Sequence, residues 1–204
     1  MAFTFFFRDT QTLRLAIEHV HPYIQSRSRI TIWSAGCAQG QEPYTFAILL
    51  REMIGPYLFR NTRIYATDLD QYDQYGRIIA EGRYPVRDLE RIPPEIFARY
   101  FRPDPQDSDF CIIADEIKAA VEFQKHDLLT GESIRSGVHL IICKNVLLHF
   151  SPGERLRVWD MFWQSLEEGG FMLHEHTQKL PDELNGRFEQ IVMNAQIFRK
   201  KEIG

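Results

Sequence analysis

Apolar residues recur along this chain at two spacings, one helical and one strand-like, and the two alternate. Leu13, Ile17, Val20 and Ile24 fall on one face of a helix, and Asp9-Thr10 can cap it. Arg29 to Trp33 reads as a strand that stops at a glycine turn. A helix over Pro43 to Met53 follows, with Pro43 suited to its first turn and Gly55-Pro56 ending it. Arg63 to Ala66 reads as a second strand, stopping at Thr67-Asp68-Leu69-Asp70, and a helix over 71–80 closes at Gly82. Between 85 and 109 the pattern weakens around Pro93, Pro94, Pro103 and Pro105, leaving a short helix near 94–101. Phe110 to Ala114 and Ala119 to Gln124 read as two strands or a hairpin, so 85–120 is expected to be an inserted β subdomain. Leu140 to Cys143 is a buried strand. Ser151-Pro152-Gly153-Glu154 is a capping box around a proline. The helix it opens turns Leu156, Trp159, Phe162, Trp163 and Leu166 inward and stops at Gly169-Gly170; Phe171 to His174 and Gln196 to Lys200 are further strands.

Strands alternating with helices predict an α/β fold of the Rossmann-like kind: a mostly parallel sheet with helices on both faces and an antiparallel C-terminal edge. At 204 residues a single domain is expected, with residues 1–28 forming an N-terminal segment and helix. Composition is that of an ordinary globular chain, and a net charge of −4 offers no footprint for nucleic acid or an anionic membrane. The aromatic start, Phe3-Thr4-Phe5-Phe6-Phe7-Arg8, is too short for a signal peptide or a spanning helix. Cys37, Cys111 and Cys143 lie far apart, which argues against a disulfide framework or zinc and for a reducing cytoplasm.

In such sheets ligands sit beyond the carboxyl ends of the strands, so the polar residues there are the candidates. The first loop carries Gly36 and Gly40, which is not the spacing of a dinucleotide fingerprint. Gly36 allows a sharp turn and a close approach. Glu42 puts a carboxylate at the helix entrance, where a pyrophosphate is repelled and an ammonium welcomed. That favours a cationic cofactor, of which S-adenosylmethionine is the common one. Asp68 can accept from both ribose hydroxyls or cap a helix. Asp127 can cap, or accept from an adenine amino group, with Leu128 as an apolar surface for the base. Cys37 and Cys143 read as buried small hydrophobes. His174-Glu175-His176 has strand spacing for a shared metal but no third ligand, so no metal is expected. His19 and His21 favour the dipole at the end of the first helix. The aromatic cluster reads as core, with Arg8 pinned beside it.

These residues together resemble the CheR-type chemotaxis receptor methyltransferases, which methylate glutamate side chains from S-adenosylmethionine. Phe6-Phe7-Arg8-Asp9 resembles the family's F-F-R-D, with Thr4 at the place of its threonine. Trp33-Ser34-Ala35 through Glu42-Pro43-Tyr44 resembles W-S-A-x-x-x-x-G-E-E-P-Y, and Ala66 to Asp70 resembles A-[ST]-D-[IL]-D. Gly82-x-Tyr84, Arg99-Tyr100-Phe101, Asp127-Leu128-Leu129 and Cys143-Lys144-Asn145-Val146 continue in order, and Gly170 to Thr177 resembles G-L-L-x-x-G-H-S. The resemblance implies that Glu42 meets the methionine amino group and Asp68 the ribose. It implies too that Asp127 stands near the adenine, where the family has asparagine, and Asn145 by the sulfonium. Lys144 replaces an arginine, His149 a tyrosine, Gln178 a glutamate and Gln41 the first glutamate of the loop, and the family's N-terminal helical domain has no counterpart. On this reading Arg8 orients an anionic acceptor, with Lys144 and His149 shaping the same pocket, and the partner is a protein substrate, a receptor or signalling protein. Two alternatives stand beside it. One is methyl transfer to another protein or small-molecule acceptor with His149 as base; the other is a cofactor-binding module without catalysis.

Overall fold

The computed structural model describes residues 4–175 and 179–202. In chain order the elements of the first half are α1 (Thr10–Ile24), β1 (Ile30–Ala35), α2 (Gln41–Phe59), β2 (Thr62–Asp68), α3 (Tyr75–Glu81) and β3 (Arg83–Pro85). There follow α4 (Pro94–Tyr100), β4 (Phe101–Asp104), β5 (Asp107–Ile113), α5 (Asp115–Ala120) and β6 (Val121–Lys125). The last are β7 (Val138–Cys143), α6 (Pro152–Ser165), β8 (Leu166–His174), β9 (Phe188–Gln190) and β10 (Ile197–Lys200).

The main sheet has seven strands in the order β6-β2-β1-β7-β8-β10-β9. β6, β2, β1, β7 and β8 run parallel, and β10 and β9 add the antiparallel edge. Both faces are covered, so β1 and β7 are buried at every position and are mostly apolar, with Thr31, Ser34 and His139 the polar exceptions. Successive side chains serve opposite faces. Ile30, Ile32, Leu140 and Ile142 join α1 and α2 on one side, while Trp33, Ala35, Ile141 and Cys143 join α6 on the other. Trp33 also satisfies its indole N–H, which donates to Thr67 Oγ1 at 2.9 Å.

The structure corrects five local expectations, one of them the stop of the helix after Ser151, which ends at Ser165 so that Leu166 and Gly169-Gly170 lie inside β8. Ala119–Gln124 is not half of a hairpin: α5 ends at Ala120, and β6 pairs in parallel with β2 from Ile64↔Val121 to Asp68↔Lys125. The small antiparallel sheet is instead β3-β5-β4. The helix expected over 71–80 starts only at Tyr75, because the Asp70 carboxylate takes the backbone N–H groups of Gln74, Tyr75 and Gly76 and fixes the first turn there. The expected end of the second helix at Gly55 is a break, with φ 77°, after which helix resumes to Phe59. Asp9 makes no side-chain cap on α1. The Ser151 capping box forms as expected.

Candidate active site

A cavity of about 670 Å³ opens at the carboxyl ends of β1, β2, β6 and β7, within the range of small-molecule sites. All ten residues expected at the site line it: Thr4, Arg8, Gly36, Glu42, Asp68, Asp127, Leu128, Lys144, Asn145 and His149.

The register of β1 on β2 pairs Ala35 with Thr67, so the next residues meet the end of β2. The N–H groups of Gly36 and Cys37 donate to Thr67 O at 2.8 and 2.9 Å, and that of Ala38 donates to Asp68 Oδ2 at 2.8 Å. Asp68 is thus oriented by backbone with acceptor capacity remaining. Gly36 has φ +84°, and a Cβ there would lie 2.2 Å from Val146 Cγ2. The close approach that requires glycine is therefore made by a neighbouring side chain. Glu42, in the first turn of α2, accepts from Ser34 Oγ at 3.1 Å. Burial pushes its carboxyl up, against the opposing pull of Lys144 and Ser34. Asp127 Oδ1 accepts from Leu129 N–H at 2.9 Å and caps a short turn, leaving Oδ2 for a ligand. Leu128 is buried, while Leu69 and Leu129 make an apolar rim.

The other wall combines the N-terminal segment with the β7–α6 loop. Phe6 is fully buried edge-on against Tyr84 and Phe101, and Phe7 N–H donates to Thr45 Oγ1 at 3.0 Å. Phe5 lines the cavity instead, with the Arg8 and Arg91 guanidinium groups 5.8 and 4.1 Å from its ring centre. Arg8 Nη2 donates to Asn145 Oδ1 at 3.4 Å. The almost buried Lys144 ammonium donates to Asp9 Oδ2 at 2.7 Å, which explains why Asp9 leaves α1 uncapped. Burial alone would raise the Asp9 carboxyl, but the hydrogen bond and charge of Lys144 outweigh it and hold Asp9 below its ordinary value. Lys144 thus ties the two halves of this wall together. His149 is exposed on the rim.

Sequence reasoning read Phe5 as core and did not single out Thr45, Leu148 or Phe150 as cavity residues. Nothing in their spacing marks them; only the pairing of distant segments does. His174 is buried with its ring 5.3 Å from that of Trp159 and its Nε2 3.1 Å from Glu175 Oε2. His176 and Gln178 lie outside the described residues, and no cluster of three or more metal-ligating side chains occurs among the described ones. No described helix is long and apolar enough to cross a membrane. All three cysteines are free and buried, and burial pushes the Cys37 and Cys143 thiols well up.

Residues 2–197 match the family model described as CheR methyltransferase, SAM binding domain. The chain belongs to the CheR methyltransferase family. This CheR domain is 26% identical to a probable chemotaxis protein methyltransferase of Rhizobium etli, over 99% of this chain and 76% of that protein. It is 31% identical to a chemotaxis protein methyltransferase of Listeria innocua, over 82% of this chain and 61% of that protein. A third relative, from Vibrio parahaemolyticus, is 30% identical over 97% of this chain and 71% of its own length. The chain thus spans roughly three fifths to three quarters of the length of these relatives. A methyltransferase structure from Geobacter sulfurreducens shares the fold, with TM-score 0.55 and 11% identity over 95% of this chain and 80% of that one. The cofactor of the CheR domain is S-adenosylmethionine. The cavity suits it: carboxylates at Glu42 and Asp68 complement an ammonium and a ribose, and leucines flank Asp127.

Proposed function

We propose that this domain transfers a methyl group to glutamate side chains of a chemotaxis receptor or a related signalling protein in a reducing cytoplasm. S-adenosylmethionine, when bound, supplies the electrophilic methyl. Glu42 holds the amino group of its methionine part, Asp68 its ribose hydroxyls, and Asp127 with Leu128 its adenine; Thr4, Gly36 and Asn145 complete the enclosure.

The observation that carries the acceptor assignment is Arg8. It lines the same cavity as the two cofactor carboxylates and is steadied by Asn145 and the Phe5 ring. An acceptor glutamate is already ionised near pH 7, with an ordinary pKa of about 4.3, so it needs orienting and not deprotonating. A guanidinium fork suits that task because it binds a carboxylate through two parallel donors. Such a transfer needs the nucleophile held in line more than it needs a strong base. Lys144 acts beside Arg8 by fixing Asp9, and exposed His149 borders the entrance for the acceptor. The test is incubation with radiolabelled S-adenosylmethionine and receptor cytoplasmic fragments. Base-labile label on glutamate supports the proposal. Base-stable label would instead favour an acceptor that must lose a proton, for which His149 on the rim is a ready base.

A further inference from the structure

One buried carboxylate beside the cavity has no part in the scheme above. Glu175 follows β8 directly and is only 2% exposed. Its Oε2 accepts from the backbone N–H of Asn145 at 3.1 Å. Among the described residues its Oε1 is buried with no hydrogen-bond partner. In the G-L-L-x-x-G-H-S motif that residues 170–177 resemble, Glu175 falls on a glycine, so this carboxylate is a feature of the chain itself. Such a group is costly to bury, and burial pushes it up, while the backbone of Asn145 and Leu148 and the charge of Lys144 pull the other way.

Asn145 stands at φ +60°, in the left-handed region that asparagine tolerates better than most residues but does not prefer. Its side chain meets Arg8, and the next residue, Val146, abuts the space beside Gly36. The loop after β7 thus touches both the acceptor arginine and the cofactor loop, and its first turn is held from behind by Glu175.

We infer that Glu175 is a positioning residue for methyl transfer, holding the Asn145 N–H so that the Asn145 side chain keeps Arg8 turned into the cavity. This rests on the function proposed above. What the role requires of residue 175 is an acceptor oxygen at the right reach, and the negative charge is secondary. E175Q keeps the acceptor, E175A removes it, and E175D withdraws it by one methylene.

The experiment combines steady-state kinetics on a receptor fragment, calorimetry with S-adenosylhomocysteine and the amide resonance of Asn145 in the full chain. The expected result is a kcat for E175Q within about threefold of wild type and a fall of about 10- to 100-fold for E175A and E175D. The affinity for S-adenosylhomocysteine and the acceptor KM stay within about threefold, and the Asn145 amide proton moves upfield in E175A and E175D but not in E175Q. If E175A does not fold, E175D against E175Q carries the same contrast. Folded E175A or E175D with wild-type kcat, E175Q falling as far as E175D, or an Asn145 resonance that does not move would overturn the inference. Wild-type protein that methylates no receptor glutamate overturns the functional reading instead, and is told apart because the amide resonance is read without turnover.

Discussion

The wall of the cavity made by β1, β2 and the loop between them is tied together by bonds that the sheet register already brings within reach. The opposite wall hangs on side chains from segments far apart in the sequence. On the first wall, Gly36, Cys37 and Ala38 bond to the last residues of β2 one step beyond the Ala35↔Thr67 pair. On the second, Lys144 reaches Asp9 across 135 residues and Arg8 reaches Asn145 across 137. The difference teaches that the first wall follows from the sheet register, whereas the second, where the proposed function puts Arg8 against the acceptor, is assembled by tertiary contacts that a few substitutions can remodel. Lys144 and His149, two of the departures from the family motifs, both lie on the second wall.

The sharpest way to break this division is Arg8→Ala. Initial rates should fall about 100-fold or more, while affinity for S-adenosylhomocysteine stays within about threefold. Loss of both together would mean that the walls do not act separately. Asp68→Ala should do the reverse, weakening S-adenosylhomocysteine about 10- to 150-fold in calorimetry, the equivalent of about 1.5–3 kcal/mol for charge-assisted hydrogen bonds. Unchanged affinity would remove Asp68 from the site. Gly36→Ala acts where the walls touch: a Cβ at φ +84° meets Val146, and strain of about 1–3 kcal/mol should appear as a lower Tm.

The smallest effect concerns the Asp9–Lys144 tie. The Asp9 side chain is 46% exposed, so the pair should contribute only about 0–1 kcal/mol. Because the Asp9 carboxyl is held below its ordinary 3.8 in the folded protein, that contribution is fully present above the unfolded value and fades as pH falls through the depressed one. Denaturant titrations of wild type and D9N should therefore differ near neutrality and converge on acidification. A gap that persists in acid would show that Asp9 acts through something other than its charge.

Most of the fold was legible because the strands buried on both faces are mostly apolar and alternate with helices whose apolar residues recur at helical spacing. What failed did so for physical reasons. Periodicity marks Val121–Lys125 as a strand but says nothing of whether its partner runs parallel or antiparallel, so β6 was assignable to either sheet. Asp9 and Asp70 illustrate a second limit. Both are aspartates next to helices, yet Asp70 caps while Asp9 is claimed by a lysine 135 residues away. The candidate site was legible partly as residues at strand ends (Gly36, Asp68, Asp127, Lys144 and Asn145) and partly through the family resemblance (Thr4, Arg8 and His149), and all ten candidates line one cavity. The bonds that make Lys144 a tie, Thr45 an anchor for Phe7 and Gly36 a seat for Val146 depend on side-chain positions that no motif records.

The three buried cysteines give the chain a practical property. It is the thiolate that attacks a maleimide, and these thiols are both shielded and hard to ionise, so the native protein should react slowly with maleimides at neutral pH. A single cysteine placed at exposed Leu148 would then be the fast-reacting group, giving a spectroscopic reporter on the entrance loop without first stripping out the natural thiols. Cys37, which lines the cavity, offers the complementary readout: slow labelling that slows further when cofactor fills the space in front of it.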